Sequence, residues 1–168
     1  MATDPVDRIV AQWRAVRPDL ETAPMATFGR LGRLHALASR SIDEVLGGHG
    51  LGVGEFDVLA ALRRAGDDAE MTPTGLSRVL MLSPAGMTNR LDRLVAAGLV
   101  ERRADPDDRR SSRVRLTGEG RAVVDAAVAD HVANEARLLA VLTDTQRRAL
   151  DGALRALLAQ FPSETETG

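Results

Sequence analysis

Two helix-start signals only eleven residues apart, Thr72-Pro73 and Ser83-Pro84, constrain this chain more than any other feature. In each, a hydroxyl can cap the free N–H groups of a first turn, and proline fits that turn because it has no N–H to leave unpaired. The first signal opens a helix over roughly 73–81. The second opens one over 84–97 that Gly98 stops. Two short helices joined by so brief a turn predict a helix-turn-helix.

The residues downstream of this pair narrow the architecture further. LVERR (99–103) and RVRLT (113–117) are strand-like, and ADPDDRRSS (104–112) is a turn between them, with Asp105-Pro106-Asp107 as ordinary turn chemistry. Val114 and Leu116 alternate with Arg113 and Arg115, giving the second strand one apolar and one basic edge. Thr117 can cap a long helix over 118–139 carrying Val123, Val124, Ala127, Val128, His131, Leu138 and Leu139. Thr143 and Gln146 form a capping box for a last helix to about 160, with Leu150, Leu154, Leu157 and Leu158 at helical spacing.

Upstream, Val6, Ile9, Val10 and Trp13 mark an amphipathic helix over 5–16, and RPDLETAP (17–24) breaks it. A second helix over 25–46 places Phe28, Leu31, Leu34, Ala38, Ile42 and Val45 on one face. GGHGLGVG (47–54) is expected as a loop, and 55–66 as a helix closed by Gly66. The terminal helices carry more apolar surface than a small domain can cover, which points to a second copy of the chain as their partner. The tail PSETETG is expected to be disordered.

Composition fits a small helical protein. The 168 residues are 44% apolar but hold one Trp, three Phe and no Tyr, so Leu, Val and Ala must build the core. With no cysteine there is no disulfide, thiolate metal site or thiol switch. No apolar run spans a bilayer and the start lacks a signal-peptide core, so a cytoplasmic protein with no membrane contact is expected. All 22 basic residues are arginine, which makes planar two-point contacts with phosphates and base edges. Residues 72–121 hold ten arginines against six acids, a local +4, whereas the remainder carries −6. A basic centre between acidic flanks predicts one face built for an anionic surface.

On a wheel of the helix over 84–97, Met87, Leu91, Leu94 and Val95 share the buried side. Asn89 and Arg93 point away from it, with the small residues Ala85 and Gly86 beside them. Small residues permit close approach to a groove floor, while Asn and Arg can read adenine and guanine edges. Ser83 and Thr88 complete the expected DNA-facing set. Arg109 and Arg110 can reach a minor groove or the backbone, or belong to a solvated loop with internal Asp–Arg pairs. Arg90 lies on the flank, where DNA, ligand and a salt bridge to Asp57 all stay open.

The pattern S-P-x-x-M-T-x-R-L-D-R-L…G-L-V-E-R…D-P-D-D-R-R…V-x-L-T-x-x-G resembles the MarR family of winged-helix regulators over nearly the whole chain. The resemblance implies a mainly α fold with a small β-hairpin wing: a winged helix-turn-helix domain plus a helical dimerisation region. It also implies a homodimer on a pseudopalindromic double-stranded operator, with repression the more frequent mode. The family's wing Asp-x-Arg matches Asp108, as wing support, and Arg110. Many members carry Arg where this chain has Asn89. The first helix W-R…R-P-D-L and the stretch G-E-F-D-V-L-A-A-L-R are similar to the urate-responsive branch. Its ligand residues match Trp13, Asp57, Arg90 and Arg102, a set suited to a small anion such as urate, a related purine or a tricarboxylate.

The expected division is 1–50 for dimerisation and ligand binding, 51–117 for the winged lobe, 118–162 for C-terminal dimerisation helices and 163–168 for the tail. No catalytic residues, metal site or cofactor are expected: the three histidines lack ligand spacing, and no nucleophile motif or phosphate-binding glycine loop is present. The competing possibility is a helical homodimeric interaction or ligand-binding protein that does not read DNA sequence.

Overall fold

The computed structural model describes residues 4–105 and 112–161. The chain divides into two compact units, residues 1–42 and 43–168.

In the first unit, helix α1 (Pro5–Val16) begins at Asp4, whose carboxylate accepts from the Val6 and Asp7 N–H groups, while Asp7 answers the Asp4 N–H. That reciprocal cap satisfies donors the helix start would leave orphaned. Arg30, from the first half of α2 (Ala23–Gly48), donates to both Asp4 and Asp7. Val6 and Val10 are buried, and a Cβ placed on Gly29 would sit 3.0 Å from Val6. The buried Thr22 accepts from Arg14 Nε at 2.9 Å. Of the expected apolar stripe of α1, only Val6 and Val10 are buried, and Ile9 and Trp13 are exposed. Helix α2 starts earlier than its sequence indicated: Pro24 lies inside its first turn, where proline's missing N–H costs nothing.

In the second unit, α2 runs on to Gly48, so the expected 47–54 loop contracts to residues 49–52. Gly52 then caps α3 (Val53–Ala65). Helix α3 supplies the centre of the core through Phe56, Val58, Leu59, Ala60, Ala61 and Leu62. Helices α4 (Pro73–Val79) and α5 (Pro84–Ala96) begin as anticipated: Thr72 Oγ1 accepts from Gly75 N–H at 3.0 Å and Ser83 Oγ from Gly86 N–H at 3.2 Å. Helix α4 is two residues shorter than expected, ending before Met81, a positive-φ residue in the turn.

Gly98, at φ 71°, ends α5: Leu99 N–H reaches back to Leu94 O and Gly98 N–H to Val95 O. This pair of bonds needs a left-handed residue, which glycine supplies without steric cost. Strands β1 (Val100–Ala104) and β2 (Ser112–Leu116) pair antiparallel with Arg102 opposite Val114, and Met71 bridges to Val114. Val114 is fully buried, as expected of the apolar edge. Thr117 then caps α6 (Gly118–Leu139), whose Val124 and Ala127 are buried. Helix α7 (Asp144–Leu158) opens with the Thr143–Gln146 capping box and has no buried residue. The observed class is mainly α with one small antiparallel hairpin.

Candidate nucleic-acid interface and its neighbouring charge cluster

The Ser83 cap sets where α5 begins, and its apolar period decides its orientation. Once its first turn is fixed, Met87, Leu91 and Leu94 fall into the core, while Ser83, Ala85, Thr88, Asn89 and Arg93 are exposed and Gly86 half-buried. Val95 departs from the expected buried set at 41% exposure, because it lies at the edge of the apolar arc. Thr88 donates its hydroxyl to Pro84 O at 3.0 Å. Arg93 is not simply solvated: its Nη1 lies 3.1 Å from Glu55 Oε1 at the start of α3. Asp108, Arg109 and Arg110 fall outside the described residues, and so do Pro106 and Asp107 of the expected turn and residues 162–168 of the expected tail.

The base of the hairpin is held by charge. Asp105, 7% exposed, accepts two hydrogen bonds from Arg113, at 2.9 and 3.2 Å. Such two-point pairing is geometrically specific. Across the ladder Arg115 donates to Glu101, and Arg103 reaches the same carboxylate at 3.1 Å. Arg115 holds the Glu101 carboxyl below its usual range. The basic edge expected of β2 is therefore largely compensated within the lobe. At the far end of α3, Asp67 accepts from Arg63 and Arg121, and Arg63 also reaches Asp125 on α6. Among the described residues Arg78, exposed in the last turn of α4, makes no ion pair.

Beside α5 lies a second group. The Arg90 guanidinium lies over Gly54, close enough that a Cβ there would sit 2.6 Å from Cζ. Gly54, Glu55, Gly86, Asn89, Arg90 and Arg93 line a cleft of about 310 Å³. Asp57, half-buried on α3, has its carboxyl raised above the ordinary carboxylate range by burial. Arg90, then Arg64 and His131, pull it back down. No ion pair within 4 Å joins Asp57 to Arg90 among the described residues, so their coupling is longer-ranged than a bridge. His131 on α6 packs its ring 5.2 Å from Phe56, its Nε2 3.3 Å from Glu135, and its Nδ1 is buried with no hydrogen-bond partner among the described residues.

Arg102 is engaged away from Arg90: its Nη2 donates to Asp92 at 2.7 Å. Asp92 lies about 200° around α5 from Arg90. Trp13 is exposed in the first unit, beside Gln12 and Val16. Sequence reasoning assigns no partner to Glu55, Asp92, Asp105 or His131. The first three carry no local pattern that names a partner, since each partner comes from another element; His131 enters only as one apolar-face position.

Comparison with known proteins places this arrangement. A MarR-family model matches residues 49–111, the lobe from before α3 to the hairpin. The transcriptional regulator PecS of Dickeya dadantii is 39% identical over 155 residues, covering 92% of this chain and 91% of PecS. The multiple antibiotic resistance protein MarR of Escherichia coli is 35% identical over 99 residues, 56% of this chain and 67% of MarR. A mutant of that MarR complexed with operator DNA superposes with a TM-score of 0.69 at 29% identity, covering 82% of this chain and 97% of that one. Among the described residues no single helix is long and apolar enough to cross a membrane. With the capped helix pair, the hairpin and this extent of similarity together, the chain belongs to the MarR family of winged-helix transcriptional regulators.

Proposed function

We propose that the protein is a homodimeric repressor that binds a pseudopalindromic operator and is released by a small anionic metabolite. The observation that carries DNA binding is the division of α5: Met87, Leu91 and Leu94 lock one side into the core, and Ala85, Thr88, Asn89 and Arg93 present the other to solvent. A helix so fixed can insert its N-terminal end in a major groove. Ser83, Ala85, Gly86, Thr88, Asn89 and Arg93 form that reading end. Arg109 and Arg110 reach the DNA from the wing, with Asp108 as support. The operator complex of the related MarR supports the same use here. Residues 51–117 make the reading lobe, and 1–50 with 118–162 make the dimer.

For release, we assign the ligand to Trp13, Asp57, Arg90 and Arg102. Arginine suits an oxyanion, and Asp57, a half-buried acceptor whose charge burial disfavours, suits a ligand N–H. Arg90 stands on the DNA-reading helix, so a ligand that engages it biases how that helix is held. Urate, a related purine and a tricarboxylate all fit this chemistry.

Two measurements test these assignments. In gel shifts with DNA upstream of the protein's own gene, binding is expected to fall steeply with salt, as phosphate contacts require. Absence of binding at low salt would favour a dimeric interaction protein instead. In thermal shifts, urate, xanthine, citrate and trans-aconitate are compared on wild type and Arg90→Ala. At ligand a hundredfold above Kd the stabilisation is about 2.7 kcal/mol. A response that survives Arg90→Ala removes that residue from the ligand site.

A further inference from the structure

We propose that Glu55 acts as an internal competitor for Arg93, masking this reading-helix arginine until DNA displaces it and so suppressing indiscriminate DNA binding. The inference rests on the DNA-binding function proposed above. Glu55 is the third residue of α3, after the cap at Gly52. Its side chain is only 16% exposed, whereas that of Arg93 is 66% exposed. One carboxylate oxygen, Oε1, meets Arg93 Nη1 at 3.1 Å; the other, Oε2, folds back beside Gly52 at the helix start. A carboxylate in the first turn is favoured by the helix dipole. Glu55 is therefore the fixed member of the pair and Arg93 the mobile one.

The geometry has a direct consequence for recognition. Arg93 projects from the exposed side of α5, in the cleft that Gly54, Gly86, Asn89 and Arg90 also line. A phosphate or base edge that takes Arg93 Nη1 exchanges with the Glu55 carboxylate. A non-specific duplex offers only phosphate oxygens in return. An operator that aligns a guanine edge offers two hydrogen bonds to the same guanidinium. The exchange lowers affinity for every duplex by the same step, so a complex persists only where further contacts, such as an aligned guanine edge, make up the loss, and the residue that imposes it never touches DNA.

The test compares wild type, Glu55→Gln, Glu55→Asp and Arg93→Gln, with the double variant Glu55→Gln/Arg93→Gln. Affinity for a random-sequence duplex and for the upstream DNA is measured across a salt series, and melting curves check folding. Glu55→Gln keeps the shape and loses the charge. It is expected to bind random duplex roughly two- to fivefold more tightly, the range open to a part-exposed ion pair. Its salt dependence should steepen by about one unit of log affinity per log salt for each reading helix that gains a phosphate contact. Glu55→Asp, with its carboxylate drawn back by a methylene, is expected to gain less, so the inference remains testable if either variant fails to fold. The gain should vanish in the Arg93→Gln background. Asp68→Asn, which removes a negative charge from the same lobe without touching Arg93, should give a smaller gain. A Glu55→Gln that binds random duplex no better than wild type, or whose gain persists without Arg93, overturns the inference while leaving DNA binding intact. If wild type and all variants fail to bind any duplex at low salt, DNA binding falls and the masking role with it.

Discussion

The winged lobe and the terminal helices are built from the same residue types and finish in different states. In the lobe, α3 through the start of α6 close on themselves: Leu59, Leu62, Leu76, Met87, Leu91, Leu94 and Val114 are all nearly inaccessible. The terminal helices keep comparable side chains in the open. Phe28 is 67% exposed, Leu34 58% and Leu158 68%, and α7 buries nothing. Large apolar groups arranged at helical spacing and left uncovered mark a surface that another chain completes. One chain is enough for a reading head, and we propose that two are needed for the platform that spaces a pair of them.

The sharpest way to break this contrast is to make the same substitution in both regions. Gly120 lies where α6 starts, and a Cβ there would overlap Leu99 O and sit 2.8 Å from Leu99 C, both backbone atoms. The same junction carries Thr117, whose hydroxyl donates to Gly98 O and accepts from Gly120 N–H, and whose own N–H donates to Leu99 O. Gly120→Ala is expected to cost about 3 kcal/mol or more, since backbone on both sides must shift. Gly152 in α7 has nothing within 4 Å of the added carbon. Gly152→Ala should stabilise by about 0.5–1 kcal/mol through helix propensity alone. Thermal unfolding of the two variants decides it; two shifts of the same sign would mean the regions do not differ in how tightly they are closed.

A smaller effect, on assembly rather than folding, sharpens the comparison from the other side. Leu154→Glu puts a charge among Leu139, Leu150 and the arginines of α7, where an apolar depression of about 410 Å³ opens at the surface. Sedimentation is expected to show dimer affinity weakened by at least tenfold, about 1.4 kcal/mol, as taking a charge out of water into a largely apolar face requires. Far-UV circular dichroism should retain the helical signal. An unchanged dimer would mean that this face of α7 is covered by nothing and that the platform lies elsewhere.

What could be read from the residues separates along the same line as local and non-local interactions. Thr72, Ser83, Thr117 and Thr143 announce their helices because cap and recipient lie three residues apart, and Gly98 announces a stop for a similar reason. The faces of α5 could be drawn from its period alone. The partners of its charges could not. Asp92 stands in plain view between Leu91 and Arg93, yet its partner Arg102 reaches it only because β1 turns back beside α5. Glu55 and Arg93 are 38 residues apart, and no spacing rule joins them. The expected grouping of Arg90 with Arg102 comes from resemblance; in the geometry Arg102 pairs with Asp92, while Arg90 lies over Gly54.

The smallest effect concerns Asp57, where closure of the lobe and the proposed ligand recognition make opposite demands. Burial raises its carboxyl above the ordinary range, more than Arg90, Arg64 and His131 together lower it. A raised carboxyl favours the neutral form in the folded chain. Its stabilising contribution is thus fully present below the unfolded value near 3.9 and is lost as pH rises through the folded one. At neutral pH the ionised Asp57 costs stability, and Asp57→Asn removes that cost. The group remains partly solvated, so the gain is small, about 1–2 °C in Tm at pH 7, narrowing toward zero as the pH approaches 4. A lower Tm for Asp57→Asn at pH 7 would mean that the attraction to Arg90 outweighs burial. With the expected sign, the lobe carries a charge that its folding does not need, which is what a residue kept for a ligand N–H would look like.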